Sequence, residues 1–433
     1  MSSLPELISS LPLADQADVV IAGGGPAGLC AAIAAAQSGA EVLLIERFGC
    51  LGGMATSGLI NPWMPFSTEN KIINAGLFAE INRRLLARGM CGRGEQGWET
   101  ASAFDEELLK QVAQEMVLEA GVRLRLNSFL TGVAAEDGRV TRLGVASKSG
   151  LQAIGGKVFL DTTGDADLCA WAGAEFEQGR PEDGLCQPMT LCFRMADVDQ
   201  ARMPSRPEIN ALYDAARAAG EITNPRENVL WFWTTHTGLV HFNTTRIVGQ
   251  QATSVDDMTA AELEGRRQVQ EMVAFLKGHV PGFEQSYLVA TAPLLGVRES
   301  RRVLGDYYLT TEEVLGAADF EDGIARACYC VDIHSPTGGG TDIRGLPPGA
   351  SYALPYRCLT PRGWENLLVA GRPISADHGA HSSLRVMPIA MNLGEAAGVA
   401  AAQALAHDGR TRAVDIQAVR ETLRERGAVI DAP

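Results

Sequence analysis

Hydrophobic positions first gather at Asp18-Val19-Val20-Ile21-Ala22, a β-branched run that reads as a buried strand. Gly23-Gly24-Gly25-Pro26-Ala27-Gly28 follows at once, then an alanine-rich helix from Ala27 to Ser38 that Gly39 is placed to end. Glu41 to Ile45 supplies a second strand, which completes a β-α-β unit. Leu108, Val112, Met116 and Ala120 recur at four-residue steps and predict an amphipathic helix over Phe104 to Ala120, with Gly121 as terminator. A strand is expected at Val122 to Leu126. Two turn signals, Glu136-Asp137-Gly138 and Lys148-Ser149-Gly150, separate alternating apolar runs and predict a β-meander before a strand at Lys157 to Leu160. Loops rich in Gly and Pro at Gly179 to Gly184 and Ser335 to Gly349 bracket a segment of different character, which holds Trp231, Phe232 and Trp233. That segment reads as a second domain. Strand and helix return at Asn366 to Ala370 and Pro388 to His407.

Composition narrows what such a chain does. Its 433 residues carry 37 Lys and Arg against 52 Asp and Glu, a net charge of −15. Phosphate neutralisation by clustered cations is therefore not expected, and neither nucleic acid nor a membrane surface is a partner. Val19 to Ala40 is uncharged and long enough to span a bilayer, yet the glycines and Pro26 within it break it into strand, turn and helix. The nine cysteines form no C-x-x-C pair, and the N-terminus lacks a basic signal region, so a reduced, cytoplasmic protein without a metal site is expected.

The chemistry starts at the glycines. In Gly23-x-Gly25-x-x-Gly28 the first permits a tight turn, the second lets backbone approach a pyrophosphate and the third lets helix pack on strand. Helix N–H groups and dipole then bind diphosphate without a lysine. Glu46 lies 18 residues past Gly28, where a carboxylate holds ribose hydroxyls. Arg47 beside it could accommodate a 2′-phosphate. This fingerprint fits NAD and FAD alike. Near the C-terminus, Pro388 suits a first helical turn, and Gly394, Ala397, Gly398 and Ala401 make a stripe for close packing.

Further markers are Arg47-Phe48-Gly49-Cys50-Leu51-Gly52-Gly53-Met54-Ala55-Thr56, Asn366-Leu367-Leu368-Val369-Ala370-Gly371-Arg372 and Leu384-Arg385-Val386-Met387-Pro388. With the glycine fingerprint, they resemble the bacterial FAD-dependent oxidoreductases of the glutathione-reductase-like superfamily, from Asp18 to about Gln403. The resemblance implies FAD as cofactor. It implies an α/β fold in which a discontinuous Rossmann-like FAD-binding domain (15–60, 100–180 and 350–410) carries an inserted, mainly β substrate domain (61–99 and 181–349), ahead of a helical tail (411–433). It places Gly23, Gly25, Pro26, Ala27, Gly28, Glu46, Arg47, Gly52, Gly53, Thr56, Val133, Thr163, Gly164, Gly371, Arg385 and Met387 along the cofactor. The small departure of Thr162 from alanine should not disturb the strand end, and Arg372 stands where many relatives carry Asp.

For the reaction, a base and an orienting group are needed. His334 and His381 also match the group's pattern and are the candidate bases; His236, His241 and His378 are weighed beside them, whereas His279 and His407 read as surface positions. Gly296-Val297-Arg298-Glu299-Ser300-Arg301-Arg302 could be a solvated face or place one guanidinium, Arg298, against an anionic substrate or the flavin edge. Tyr352, Pro355, Tyr356 and Arg357 are a further match and could wall the pocket. The run His241 to Thr245, followed by Arg246, reads as a half-buried strand whose polar face, Asn243 included, turns to a cleft or to water, with water the preferred reading. Gly338-Gly339-Gly340 reads as lacking a preceding strand, so no second nucleotide domain is expected. Cys50 lacks a redox partner nearby and reads as a small buried residue.

The function expected is hydride removal from a C–OH or C–N bond of a small organic substrate, with electrons passing to dioxygen, a quinone or carrier, or transient NAD. Two alternatives stand beside it: fumarate-reductase-like reduction of an activated C=C bond, and a flavin subunit that passes electrons to a partner protein. A homo-oligomer is compatible with all three.

Overall fold

The computed structural model describes residues 4–69, 71–91 and 103–432; the expected domain boundary at 99/100 lies outside them. The glycine-rich unit forms as its sequence dictates. Strand β1 (Leu13–Ala22) leads into helix α1 (Pro26–Gln37), and β2 (Val42–Ile45) returns parallel to β1 with Val19 opposite Val42. Helix α2 (Glu106–Glu119) precedes β3 (Arg123–Arg125), which pairs parallel with β2. The two turn signals join β4 (Phe129–Glu136), β5 (Arg139–Ser147) and β6 (Gly150–Asp161) as an antiparallel meander. The resulting order is β3-β2-β1-β6-β5-β4, a parallel Rossmann-like core with an antiparallel wing.

A second sheet is antiparallel. It contains β7 (Phe193–Ala196), β8 (Trp231–Trp233), β9 (Val240–Phe242) and β10 (Tyr287–Thr291) in the order β8-β9-β7-β10. Phe193 and Phe242 stack with centroids 4.9 Å apart in a core of their own, built from Leu59 and residues of the 189–297 stretch and covered by the long helix α3 (Val255–His279). Phe78, Ile81 and Val314, which the sequence groups with this segment, share the core of the first sheet instead. A hairpin, β11 (Val331–His334) with β12 (Thr341–Arg344), turns through Ser335 to Gly340. A strand does precede Gly338-Gly339-Gly340, correcting the expectation, but the glycines close a hairpin and start no helix.

The chain then rejoins the first sheet. β13 (Leu367–Val369) runs parallel to the C-terminal half of β6, with Leu367 opposite Phe159, while β5 takes the other half of β6. Helix α4 (His378–Leu384) and helix α5 (Met387–Ala404) follow. α5 lies directly on α1, and a side chain on Gly394 or Gly398 would put its Cβ 2.0 Å from the Ala27 carbonyl oxygen or 2.2 Å from that of Ala31. Both helices are apolar on nearly every face because α1 is enclosed between sheet and α5. Among the described residues, no helix is long and apolar enough to cross a membrane.

Candidate functional site

The strand-to-helix turn makes a concave floor. Gly23 takes φ of 103°, with its Cα pressed so close to the Thr162 carbonyl that a Cβ would lie 2.5 Å from that oxygen. Thr162 in turn donates its hydroxyl to the carbonyls of Ala22 (2.9 Å) and Gly23 (2.7 Å), locking the loop against β6. Gly28 has the packing task expected of it: a Cβ there would meet the Gly23 carbonyl oxygen at 1.8 Å. Gly25 is different. A Cβ on it would meet nothing within 4 Å, and as N-cap of α1 it offers no side chain to the helix N–H groups. The helix start therefore faces a hollow rather than protein, which is the shape an anionic phosphate requires.

Glu46 stands at the edge of this floor, 5% exposed. Its carboxylate accepts from the backbone N–H of Gly24 (2.6 Å) and of Phe48 (2.8 Å). Burial raises its pKa against the lowering effect of those bonds. Each oxygen keeps a lone pair for a ligand hydroxyl.

The hollow opens into a cleft of about 1440 Å³, part of it open to solvent. The N-terminal turn of α5 brings Met387 and Ala390 to its wall, and Arg385 precedes them. Arg372 lines it too, with its Nη2 2.9 Å from Asp165 Oδ1; this ion pair is what the Arg-for-Asp departure builds. Arg298 reaches the cleft from the run after Gly296 and donates to Pro188 O (2.6 Å) and Asn243 Oδ1 (3.3 Å). Burial, then the fields of Arg385, Arg226 and Arg246, push its pKa well below the usual range.

His334 also lines the cleft. Its Nδ1 lies 3.3 Å from Arg246 Nη2, and Nε2 lies 3.6 Å from Asp332 Oδ1. Arginine only donates, so Nδ1 is the acceptor and Nε2 carries the proton. Burial first and Arg298 second keep the ring neutral by pushing its pKa well below the ordinary value.

Of the other residues read from the sequence, Gly23, Gly25, Pro26, Ala27, Glu46, Arg47, Gly53, Thr163, Gly164 and Gly371 reach the cleft. Gly28, Gly52, Thr56, Val133 and His381 are not among its lining residues. Thr56 bonds to Leu51 O (2.8 Å), and Val133 is buried in the apolar core on the meander side of the sheet. His381 is fully buried and uses Nε2 to bond Arg372 O at 3.0 Å, so it braces the Arg372 loop away from the cleft. His236 is exposed and bonded to Asp105, and His378 is held by Glu299 at 3.0 Å. Cys50 is half-buried with its Sγ 3.6 Å from Ser57 Oγ.

Packing decides three readings left open by the sequence. The Glu299-to-Arg302 run is no solvated face: Arg302 is buried on Glu299 and Ala376 O, and Arg301 turns to Asp167. Tyr352 and Tyr356 are buried on Ser383 and Thr411, and Arg357 pairs with Asp322, so none walls the cleft. The polar face of His241 to Thr245 does not meet water. Thr244 and Thr245 are fully buried against their own segment, on Asn228 O (3.1 Å) and on Thr190 and Leu191 (3.1 and 2.7 Å), and Asn243 turns into the cleft. Asn61, Met64, Leu230 and Leu294, which carry no motif, also line the cleft, as does Phe232 of the aromatic run. For Leu230 and Phe232 the signal was their two-residue spacing beside the aromatic run; apolar walls otherwise read as core.

A stretch of 64 residues is 41% identical to a fumarate reductase (cytochrome) of Shewanella frigidimarina, covering 14% of this chain and 11% of that protein. Over 163 residues the chain is 32% identical to the tRNA uridine 5-carboxymethylaminomethyl modification enzyme MnmG of Geobacter sulfurreducens, covering 34% of this chain and 24% of that one. The chain thus matches a quarter or less of the length of these curated relatives. Among solved structures, p-nitrophenol 4-monooxygenase of Pseudomonas putida aligns with a TM-score of 0.49 at 13% identity, over 95% of this chain and 85% of that one. A geranylgeranyl bacteriochlorophyll reductase-like protein of Thermoplasma acidophilum aligns with a TM-score of 0.46 at 14% identity, over 95% and 84%. The family model described as FAD dependent oxidoreductase matches residues 18–423. The open cradle at Gly25 and the carboxylate at Glu46 suit the cofactor of that family, and the chain belongs to the FAD dependent oxidoreductases, as a flavin enzyme that uses FAD.

Proposed function

We propose that the enzyme removes a hydride from a C–OH or C–N bond of a small organic molecule, with Arg298 orienting it. The observation that carries this reading is His334. Among the described residues it is the one imidazole that lines the cleft holding the cradle, and it is held neutral, the state in which a ring nitrogen can accept a proton.

Bound FAD supplies the hydride acceptor. Gly25, the α1 N-terminus and Glu46 hold its adenosine diphosphate half, and the α5 N-terminus with Arg385 offers a positive field to its other half. His334 takes the substrate proton. Its Nδ1 exchanges a long bond from Arg246 for the incoming proton, while Arg246 stays anchored on Glu227 (2.9 Å), Gly338 O (3.1 Å) and Gly340 O (3.0 Å). Asp332, fixed by Tyr329 (2.9 Å), then faces the charged ring. Dioxygen, a quinone or carrier, or transient NAD takes the electrons onward.

Anaerobic addition of an alcohol, amine and hydroxy-acid panel should bleach the flavin band of the purified holoenzyme. His334→Gln should retain FAD and slow that bleaching about 10²–10⁴-fold. No bleaching by any donor would overturn the proposal. The arginines in the cleft favour a second reading, reduction of a C=C bond conjugated to a carboxylate; reoxidation of pre-reduced enzyme by an enoate, without donor bleaching, would select it.

A further inference from the structure

Arg298 is a buried cation without a counter-ion. It is 7% exposed, lines the cleft and makes no ion pair among the described residues. Its two hydrogen bonds go to neutral oxygens, Pro188 O and Asn243 Oδ1. A guanidinium has five N–H donors, so part of its fork stays available.

The surroundings sharpen the imbalance. Arg385, Arg226 and Arg246 all repel Arg298, and Asp332 is the carboxylate that attracts it. Glu227 is occupied by Arg246, and Asp332 is shared between Arg385 at 3.7 Å and His334. Arg226 bonds Asn228 through Nε and keeps a buried Nη1 without a partner. Arg385 likewise keeps a buried Nε unpaired. Four guanidinium groups therefore face two carboxylates, in a chain whose overall charge is −15. Burying an uncompensated cation is costly, and such sites persist where a ligand supplies the missing charge. The α1 N–H groups at Gly25 are the donors assigned to the flavin diphosphate, so that anion is not the one assigned to Arg298.

We infer that the substrate carries a carboxylate, received by the free edge of the Arg298 fork beside Asn243, and an apolar body that lies against Leu230, Phe232 and Leu294. A planar fork matches the two oxygens of a carboxylate, and one fork suits one negative charge. The inference rests on the hydride-removal reading for the word substrate, but the anion site stands or falls by binding alone.

The test uses FAD-loaded enzyme at fixed ionic strength, titrated with acetate, hexanoate and phenylacetate and with the three matching amides. Binding is read from the flavin difference spectrum and by calorimetry. Hexanoate and phenylacetate should bind more tightly than acetate, and each carboxylate at least 10-fold more tightly than its amide. Arg298→Gln should weaken the carboxylates by about 10- to 100-fold with FAD content unchanged, and Arg298→Lys should recover part of the loss. Equal binding of acids and amides, or no carboxylate binding, overturns the inference. So does an Arg298→Gln enzyme that loses FAD or shifts its flavin potential yet still binds phenylacetate, since the guanidinium would then serve the flavin. Carboxylate binding without bleaching by any donor would retire the hydride reading and leave this site in place.

Discussion

Gly25→Ala separates the fold from the cofactor cradle. The residue has φ of −70° and ψ of −171°, an extended conformation open to alanine, and the added Cβ meets no protein atom within 4 Å. The folded apoprotein therefore loses nothing, and restricting the unfolded chain favours the variant by about 0.4–1 kcal/mol. The hollow that accepts the methyl is the one proposed for the diphosphate. Displacing an anionic oxygen from one helix N–H costs a charge-assisted bond, about 1.5–3 kcal/mol, or roughly a 10- to 150-fold weaker Kd. Apoprotein would be titrated with FAD by quenching of flavin fluorescence, alongside thermal unfolding of the apo form. The expected pair is an unchanged or slightly higher Tm and a Kd at least 10-fold higher. Unchanged FAD affinity in a fully folded variant would refute the placement of the diphosphate at Gly25.

Other perturbations act on packing and charge. Gly394→Val forces a side chain against Ala27 O and should lower Tm by the equivalent of at least about 1–3 kcal/mol, with FAD uptake impaired because α1 shifts; calorimetry and flavin content check both. Arg194 and Glu106 form a buried ion pair, so Glu106→Ala should cost about 3–5 kcal/mol in denaturant unfolding, and Glu106→Leu with Arg194→Met should recover most of it. His241 and His381 are fully buried and held near a pKa of about 3, first by desolvation. In the unfolded chain they titrate near 6.5, so below that pH the unfolded state binds more protons and each histidine removes about 1.4 kcal/mol of stability per pH unit down to about pH 3. His241→Phe, at a ring with both nitrogens unpaired, should flatten the acid limb of a Tm-against-pH curve without lowering Tm at pH 7.5.

Local spacing made the Rossmann-like half legible. Strand, glycine turn, helix and Glu46 lie within 29 residues of one another from Asp18, and the conformations they need are set by neighbours along the chain. The stripe of Gly394 and Gly398 is likewise a one-helix pattern, and α1 is the surface that fills it. Periodicity reports that a face is covered but not by what, which is why Asn243 read as facing water and turns into the cleft. His334 and His381 looked equivalent as candidates. Contacts between segments far apart in sequence separate them, with His381 spent on Arg372 O and His334 left on the cleft wall between Arg246 and Asp332. The same holds for the arginines after Gly296, of which Arg298 alone lacks a carboxylate. Thus the strand-glycine-helix cradle was determined by local sequence, because a turn and a helix start are local objects; that His334 and Arg298 line the cleft while His381 and Arg302 do not was decided by tertiary structure, because burial and pairing depend on which groups the fold brings face to face.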